Sequence, residues 1–391
     1  MDYNEFFRKE VNALKEKGLD WKIRVLQGKS VPHAVIDGKK SLILCSNNYL
    51  NLSSHPKLIQ AGINALKSHG AGSGSVRAIA GTMDLHQKLE KKISEFKETE
   101  DSLYYQTGFA ANAGLIPALM SEGDLIISDE LNHGSIIDGV RLSKAEKKIF
   151  PHKNTEELKK ILEESEKNYS KILVVSDGVF SMDGDIAPLD KISFLCRKFN
   201  ALSYVDDAHG DGVLGKGKGI VHHFNLQGKI DIEMGTFSKA FGVVGGYITG
   251  TTSLKEFALN KSRTWLLSGS APPATIASCI ASLELVEEEP EHVKKLWDNT
   301  FYWKKNLKKA GFDSGESETP ITPVMLGESI TAKKFSEKLM QKGIFALPIV
   351  FPMVAQGKAR IRTMMNSGLT KEDLDSALEK FEETGKELKV I

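Results

Sequence analysis

No apolar run in this 391-residue sequence approaches the ~20 residues that a membrane-spanning helix needs. Cysteine is scarce. Cys45, Cys196 and Cys279 are odd in number and far apart, with neither a Cys-x-x-Cys pair nor Cys/His ligand spacing. A disulfide framework and a zinc site are therefore not expected, and no metal is called for. Charge of one sign is missing too: 52 basic against 51 acidic residues leave a net +1, which argues against nucleic acid or an anionic membrane as a bulk partner. The first residues, MDYNEFFRKEVNALKEKG, are charged throughout and lack the apolar centre of a signal peptide, so a cytoplasmic protein is expected. No repeat or low-complexity tract is visible. What remains is a globular chain long enough for more than one core.

In chain order, residues 3–17 place Phe6, Phe7, Val11 and Leu14 on one helical face with Gly18 as the stop, an arm that could pack on a partner subunit or on its own domain. A strand at 42–45 leads to the polar loop Ser46-Asn47-Asn48-Tyr49-Leu50. A helix over 56–69 follows, with Leu58, Ile63 and Leu66 read as inward. The Gly-rich stretch 70–77 lacks a phosphate-loop pattern, and Arg77 is read as lining a site entrance. From Ser102 strands and helices alternate: strands at 103–105, 125–128, 148–150, 172–176, 202–206, 231–235 and 245–250, with helices from 109, 134, 154 and 188. This alternation predicts an α/β fold with a mainly parallel, doubly wound sheet and ligands at the carboxyl ends of its strands. A charged break at Glu287-Glu288-Glu289-Pro290 starts a smaller α+β unit. The expected division is an arm and strand over 1–45, a large domain over 46–286 and a C-terminal domain over 287–391.

The chemistry centres on DIEMGTFSKAFGVVGG, residues 231–246. A probable strand runs into a Gly-flanked turn that carries Lys239, placed to project into a cavity. Before it, LSYVDDAHG (202–210) ends an apolar run in Asp206, Asp207 and His209. An acid at one strand's end and a lysine beyond the next are what a pyridoxal phosphate (PLP) enzyme needs. The lysine forms a Schiff base, and the acid keeps the pyridine nitrogen protonated so that the ring accepts electrons. Asp206 comes first after the apolar run and is preferred, with Asp207 the competitor. Gln106 to Asn112 joins a strand to a helix, where free amides and the helix dipole suit a phosphate. Asp177 and Asp183, in DGVFSMDG, are read as turn residues. Arg360 and Arg362 alternate onto one strand face.

GTFSKAFG and VDDAHG resemble the α-oxoamine synthases, a branch of the fold-type-I PLP enzymes, and the similarity runs from Asn47 to Arg362. The resemblance implies a PLP-dependent transferase fold and a set of roles. Lys239 would bind PLP and act as base; Gly108 and Phe109 would supply amides to its phosphate, and His133 would stack on its ring. Asp206 would face the pyridine nitrogen, with His209 at the phenolic oxygen and Ser181 near that oxygen or the substrate. Thr236 would donate to the phosphate, and Ser270 would do so across a homodimer unless it caps its own helix. Arg362 would bind the substrate carboxylate and Asn47 would also contact the substrate, leaving Arg360 to structural or surface contacts.

The implied reaction condenses a small amino acid with an acyl-CoA. Gly81-Thr82-Met83-Asp84, LNHGSIIDGVRL and DGVFSMDGDIAPL look closest to the 2-amino-3-ketobutyrate CoA ligase branch, which uses glycine and acetyl-CoA in threonine breakdown. The alternative is the 8-amino-7-oxononanoate synthase branch, which uses alanine and pimeloyl-CoA in biotin synthesis. An aminotransferase or aldolase is the rival outside the family. After Arg362 both branches carry a Ser-Ala-Ala-His-Thr-like run, where this chain has Met365-Asn366-Ser367-Gly368-Leu369-Thr370, without the histidine.

Overall fold

A computed structural model of the chain describes residues 2–16 and 19–391. The stop read at Gly18 lies outside the described residues. The centre is a seven-stranded sheet in the spatial order Asp101–Tyr105, Gly246–Gly250, Ile232–Thr236, Leu202–Asp206, Ile172–Asp177, Leu125–Asp129, Glu146–Phe150. Only Gly246–Gly250 runs against its neighbours; the other strands are parallel.

Alternation along these strands feeds two separate cores. Leu125, Ile127, Ile172, Val174 and Val205 enter the larger one. Ile126, Leu173, Val175, Tyr204 and Met234 enter the other. A sheet covered by helices on both faces needs near-continuous apolar strands, which LIIS and ILVVS supply. The fold class is therefore the expected one.

The N-terminal strands His33–Ile36 and Lys39–Ile43 stand outside this sheet. They form a second sheet with Leu26–Gln27 and Ile344–Phe345, in which Leu42 and Ile43 pair in parallel with Ile344 and Phe345. A third sheet places Ala359–Met364 between Ile321–Gly327 and Pro348–Ile349. Its central strand carries Arg360 and Arg362.

Two local expectations give way. The helix Pro56–His69 buries Leu58, Gly62 and Ala65, whereas Ile63 and Leu66 are 40% and 48% exposed. Small residues face the helix Pro273–Glu288 because the two pack closely: a Cβ at Gly62 would lie 3.2 Å from Ser278 Oγ. Arg77 lines no entrance. It is buried and its guanidinium meets Glu90 at 3.0 Å, since a buried charge needs a partner.

The helix Tyr3–Glu16 buries none of its residues, and Tyr3, Phe6, Phe7, Val11 and Leu14 all lie exposed. Among the described residues no helix is long and apolar enough to cross a membrane.

Candidate active site

The carboxyl ends of five parallel strands of the central sheet surround one cavity of about 200 Å³. Strand Asp101–Tyr105 leads through Thr107 into the helix Gly108–Leu119. The Thr107 hydroxyl accepts the Ala110 N–H at 3.0 Å, leaving the Gly108 and Phe109 amides at the open end of the helix. Gly246 makes this approach possible, because a Cβ there would lie 2.5 Å from Gly108 N.

Beyond strand Leu125–Asp129, His133 caps the helix Gly134–Leu142: its Nδ1 accepts the Ser135 N–H at 3.2 Å and lies 2.8 Å from Ser135 Oγ. Its backbone N–H donates to Asp177 Oδ2 at 2.8 Å. Burial lowers the His133 pKa, with Asp206 acting the other way.

The next two strands end in register, Asp177 beside Asp206. Both carboxylates are buried and both line the cavity. Asp177 is thus a strand-end acid and not the turn residue expected of it. Burial first, and the Asp206 charge second, push its pKa well above the usual carboxylate range. Asp206 Oδ2 accepts Asn112 Nδ2 at 2.7 Å and Oδ1 accepts the Ala208 N–H at 3.0 Å. Asp207, the competitor, points to the far side of the segment, where its Oδ2 accepts the Ile220 N–H at 2.8 Å and lies 3.6 Å from Lys97 Nζ.

Lys239 faces these acids from the turn after Ile232–Thr236. Among the described residues its amine makes no hydrogen bond and no ion pair. Burial lowers its pKa, although Asp206 and Asp177 favour the charged form. His209 is pushed well below its ordinary value by burial and by the positive charges of Lys239 and Arg362.

Gly108, Phe109, His133, Ser181, Asp206, His209, Thr236 and Lys239 all line this cavity. Thr236 differs in detail: its hydroxyl donates to the Gly245 carbonyl at 2.6 Å, so that proton serves the turn and not a phosphate. Arg362 stands beside the cavity and donates from Nη1 to the Ser181 carbonyl at 2.9 Å. Its buried Nε has no partner. Arg360, on the same face, is bound to Asp183 and to the Met182 carbonyl.

Asn47 and Ser270 lie outside the lining. The Asn47 Oδ1 is buried and unpaired. Ser270 donates to the Gly81 carbonyl at 2.7 Å and does not cap the helix after it.

Two residues of the site carried no sequence signal of their role. Tyr49 places its hydroxyl 2.8 Å from His209 Nδ1. Asn112 bridges Asp206 to Ser135 Oγ at 2.9 Å and accepts the Tyr204 hydroxyl at 2.7 Å. Asp177 did carry one, since it ends an apolar strand just as Asp206 does.

The donor set fits pyridoxal phosphate. Open amides at a helix start suit its phosphate, a buried acid suits its pyridine nitrogen, and an unpaired amine suits its aldehyde carbon.

The chain matches the aminotransferase class I and II family over residues 39–381. It belongs to that family. It is 48% identical over 392 residues to an 8-amino-7-oxononanoate synthase of Symbiobacterium thermophilum, covering 100% of both chains. The Bacillus subtilis 8-amino-7-oxononanoate synthase 1 is 48% identical, over 99% of each chain. Among solved structures, Sphingomonas wittichii serine palmitoyltransferase superposes with a TM-score of 0.94 at 30% identity, over 100% of this chain and 99% of that one. The 8-amino-7-oxononanoate synthase of Francisella tularensis does so with 0.77 at 26% identity, over 90% and 99%. The chain is a PLP-dependent member of the α-oxoamine synthases, as the resemblance of its motifs implied.

The segment that carries Ser181 has its own electrostatic anchor. His152 lies between Asp129 Oδ1 at 3.0 Å and Asp185 Oδ2 at 2.8 Å. Burial opposes its charge, but the two acids win and raise its pKa from the ordinary 6.5 to about 9. A pKa raised on folding stabilises fully below the unfolded value, and that stabilisation is lost as pH rises through the folded one. Melting temperature should therefore fall between pH 6.5 and 9. His152→Gln should remove this slope and cost about 2 kcal/mol at pH 6, discounted for a partly exposed ring. Parallel melting curves for the two proteins across this range would refute the anchor.

Proposed function

We propose that this chain is an 8-amino-7-oxononanoate synthase, condensing L-alanine with pimeloyl-CoA or the corresponding carrier-protein thioester. The observation that carries this reading is full-length identity of 48% to proteins of that name. It displaces the glycine and acetyl-CoA reading that the motif segments favoured. Two of those segments line the cofactor cavity, through His133, Ser135, Asp177, Val179 and Ser181, and the cofactor is common to both branches.

In this reading Lys239 would hold the cofactor in the resting enzyme. Bound there, PLP would supply an electron sink for the pair left on Cα when its proton departs. The displaced Lys239 amine takes that proton, and its burial favours the neutral form that can do so. Arg362 holds the substrate carboxylate, and its unpaired Nε, beside an Nη1 already fixed on Ser181, is a free donor for that contact. Asp206 faces the pyridine nitrogen, steadied by Asn112. The Tyr49 hydroxyl fixes the His209 ring, leaving Nε2 for the phenolic oxygen. His133 would cover one ring face, and the Gly108 and Phe109 amides would take the phosphate.

We also infer a homodimer, supported by the exposed apolar side chains of the Tyr3–Glu16 helix. Ser270 would complete the partner's phosphate site only if its bond to Gly81 were exchanged. Sedimentation of a fully active monomer would overturn this part.

The deciding experiment is free-thiol release by PLP-loaded protein. Alanine with pimeloyl-CoA should react, and glycine with acetyl-CoA should be slower by at least about tenfold, or ~1.4 kcal/mol of activation free energy. The reverse ranking would restore the 2-amino-3-ketobutyrate reading. Turnover of an amino acid without any thioester would point to an aminotransferase or aldolase.

Lys239→Ala should abolish both turnover and the cofactor's visible absorption near ~420 nm. Full activity in that variant would remove Lys239 from the mechanism. Arg362→Ala should weaken amino-acid binding by on the order of 2–5 kcal/mol, as truncating one side of a buried charge pair does. An unchanged spectral titration with alanine would contradict that role.

A further inference from the structure

Behind the cavity lies a second cluster of charge that the reaction does not use directly. Lys97, the last residue of the helix Asp84–Lys97, has a fully buried side chain. Its ammonium donates to Asp211 Oδ1 at 2.8 Å and to the Lys218 carbonyl at 2.7 Å, contacts Glu233, and lies 3.6 Å from Asp207 Oδ2. The three acids bring ligand oxygens within 4.8 Å of one another, close enough for a metal, and the Lys97 ammonium takes the cation's place.

The cluster grips both segments that bear the proposed catalytic groups. Asp207 and Asp211 flank His209 in the chain and follow Asp206, so the segment is held at 207 and 211 while 206 and 209 face the cavity. Glu233 belongs to the strand that leads to Lys239. Asp211 Oδ2 also accepts the Thr236 N–H at 3.2 Å and the Tyr247 hydroxyl at 2.7 Å. Space for this has been cleared: a Cβ at Gly219 would strike Asp207 and Lys97, and one at Gly235 would strike Asp211 and Tyr247.

We propose that Lys97 is a positioning residue of the active site, whose buried ammonium locks the Asp206–His209 segment to the Lys239 strand and sets the charge behind Lys239. The proposal rests on the PLP reading of the cavity. Charged groups facing Lys239 are Asp206, Asp177, Arg362 and Asp211, with His133 and His209 nearby. Asp211 is the member of that set which Lys97 neutralises. Burial opposes the Lys97 charge, but Asp211, Glu233 and Asp207 more than restore it, so the pKa lies above its ordinary value.

The test is a pH titration of the visible absorption of the PLP-loaded enzyme, in wild type, Lys97→Met and Asp211→Asn. Removing the cation should raise the midpoint by about one pH unit; removing the anion should lower it. In Lys97→Met, kcat should fall at least about tenfold while KM for the amino acid stays within about twofold, the pattern of a lost transition-state contact. A merely structural ion pair would shift both midpoints in the same sense or neither, and that result overturns the proposal. Should Lys97→Met not fold, the Asp211→Asn midpoint decides alone: a fall supports the proposal, and an unchanged or raised value refutes it. Wild-type protein that develops no cofactor absorption would instead refute the PLP reading.

Discussion

Two carboxylates at the ends of neighbouring parallel strands, Asp177 and Asp206, face one buried lysine, and much of this molecule serves that confrontation. Parallel register puts the acids side by side. Burial first, and the charge of its neighbour second, push Asp177 towards its neutral form. Hydrogen bonds then divide the labour. Asp177 accepts the His133 backbone N–H, while Asp206 accepts the Asn112 side chain and the Ala208 N–H. The result is one carboxylate held towards the cavity by Asn112 and a neighbour that holds the His133 loop.

The same low-dielectric surroundings act on the lysine in the opposite sense. Desolvation removes charge from Lys239 more effectively than Asp206 and Asp177 restore it. A neutral amine close to two acids is an unstable arrangement unless the positive field around it is also arranged, and Arg362 on one side contributes to that field. The Lys97 cluster on the other side compensates Asp211. The proposed active site thus draws on residues from the end of the helix Asp84–Lys97, the central sheet and the C-terminal sheet, which are far apart in sequence.

That separation explains what could be read from sequence and what could not. Strand and helix alternation was legible because the strands are buried on both faces and read as unbroken apolar runs. Asp206 was legible because its strand ends there, and the alternation of side chains sends Asp207 to the other face. Direction on a helix was less legible: Ile63 and Leu66 turn outward because Gly62 and Ala65 are needed where the helix meets Pro273–Glu288. Asn112 and Tyr49 could not be found by spacing, since their partners Asp206 and His209 lie 94 and 160 residues away. Arg77 was misplaced because its surroundings come partly from afar: besides Glu90, its guanidinium lies 5.4 Å from the Trp265 ring centroid.

The motif segments favoured a different substrate pair from the one that the relatives' names support, for a related physical cause. Residues 131–142 and 177–189 contribute lining to the cofactor cavity, and PLP chemistry is shared across the family, so likeness there says little about the acyl group. The run without the histidine is more informative in three dimensions than in one. Asn366 bonds the Asn48 carbonyl, and the Ser367 N–H donates to the Tyr49 carbonyl at 2.8 Å. Met365 to Leu369 is therefore a brace on the loop whose Tyr49 orients His209. In this chain the segment after Arg362 thus connects to the cavity through the loop that carries Tyr49, whose hydroxyl lies 2.8 Å from His209 Nδ1.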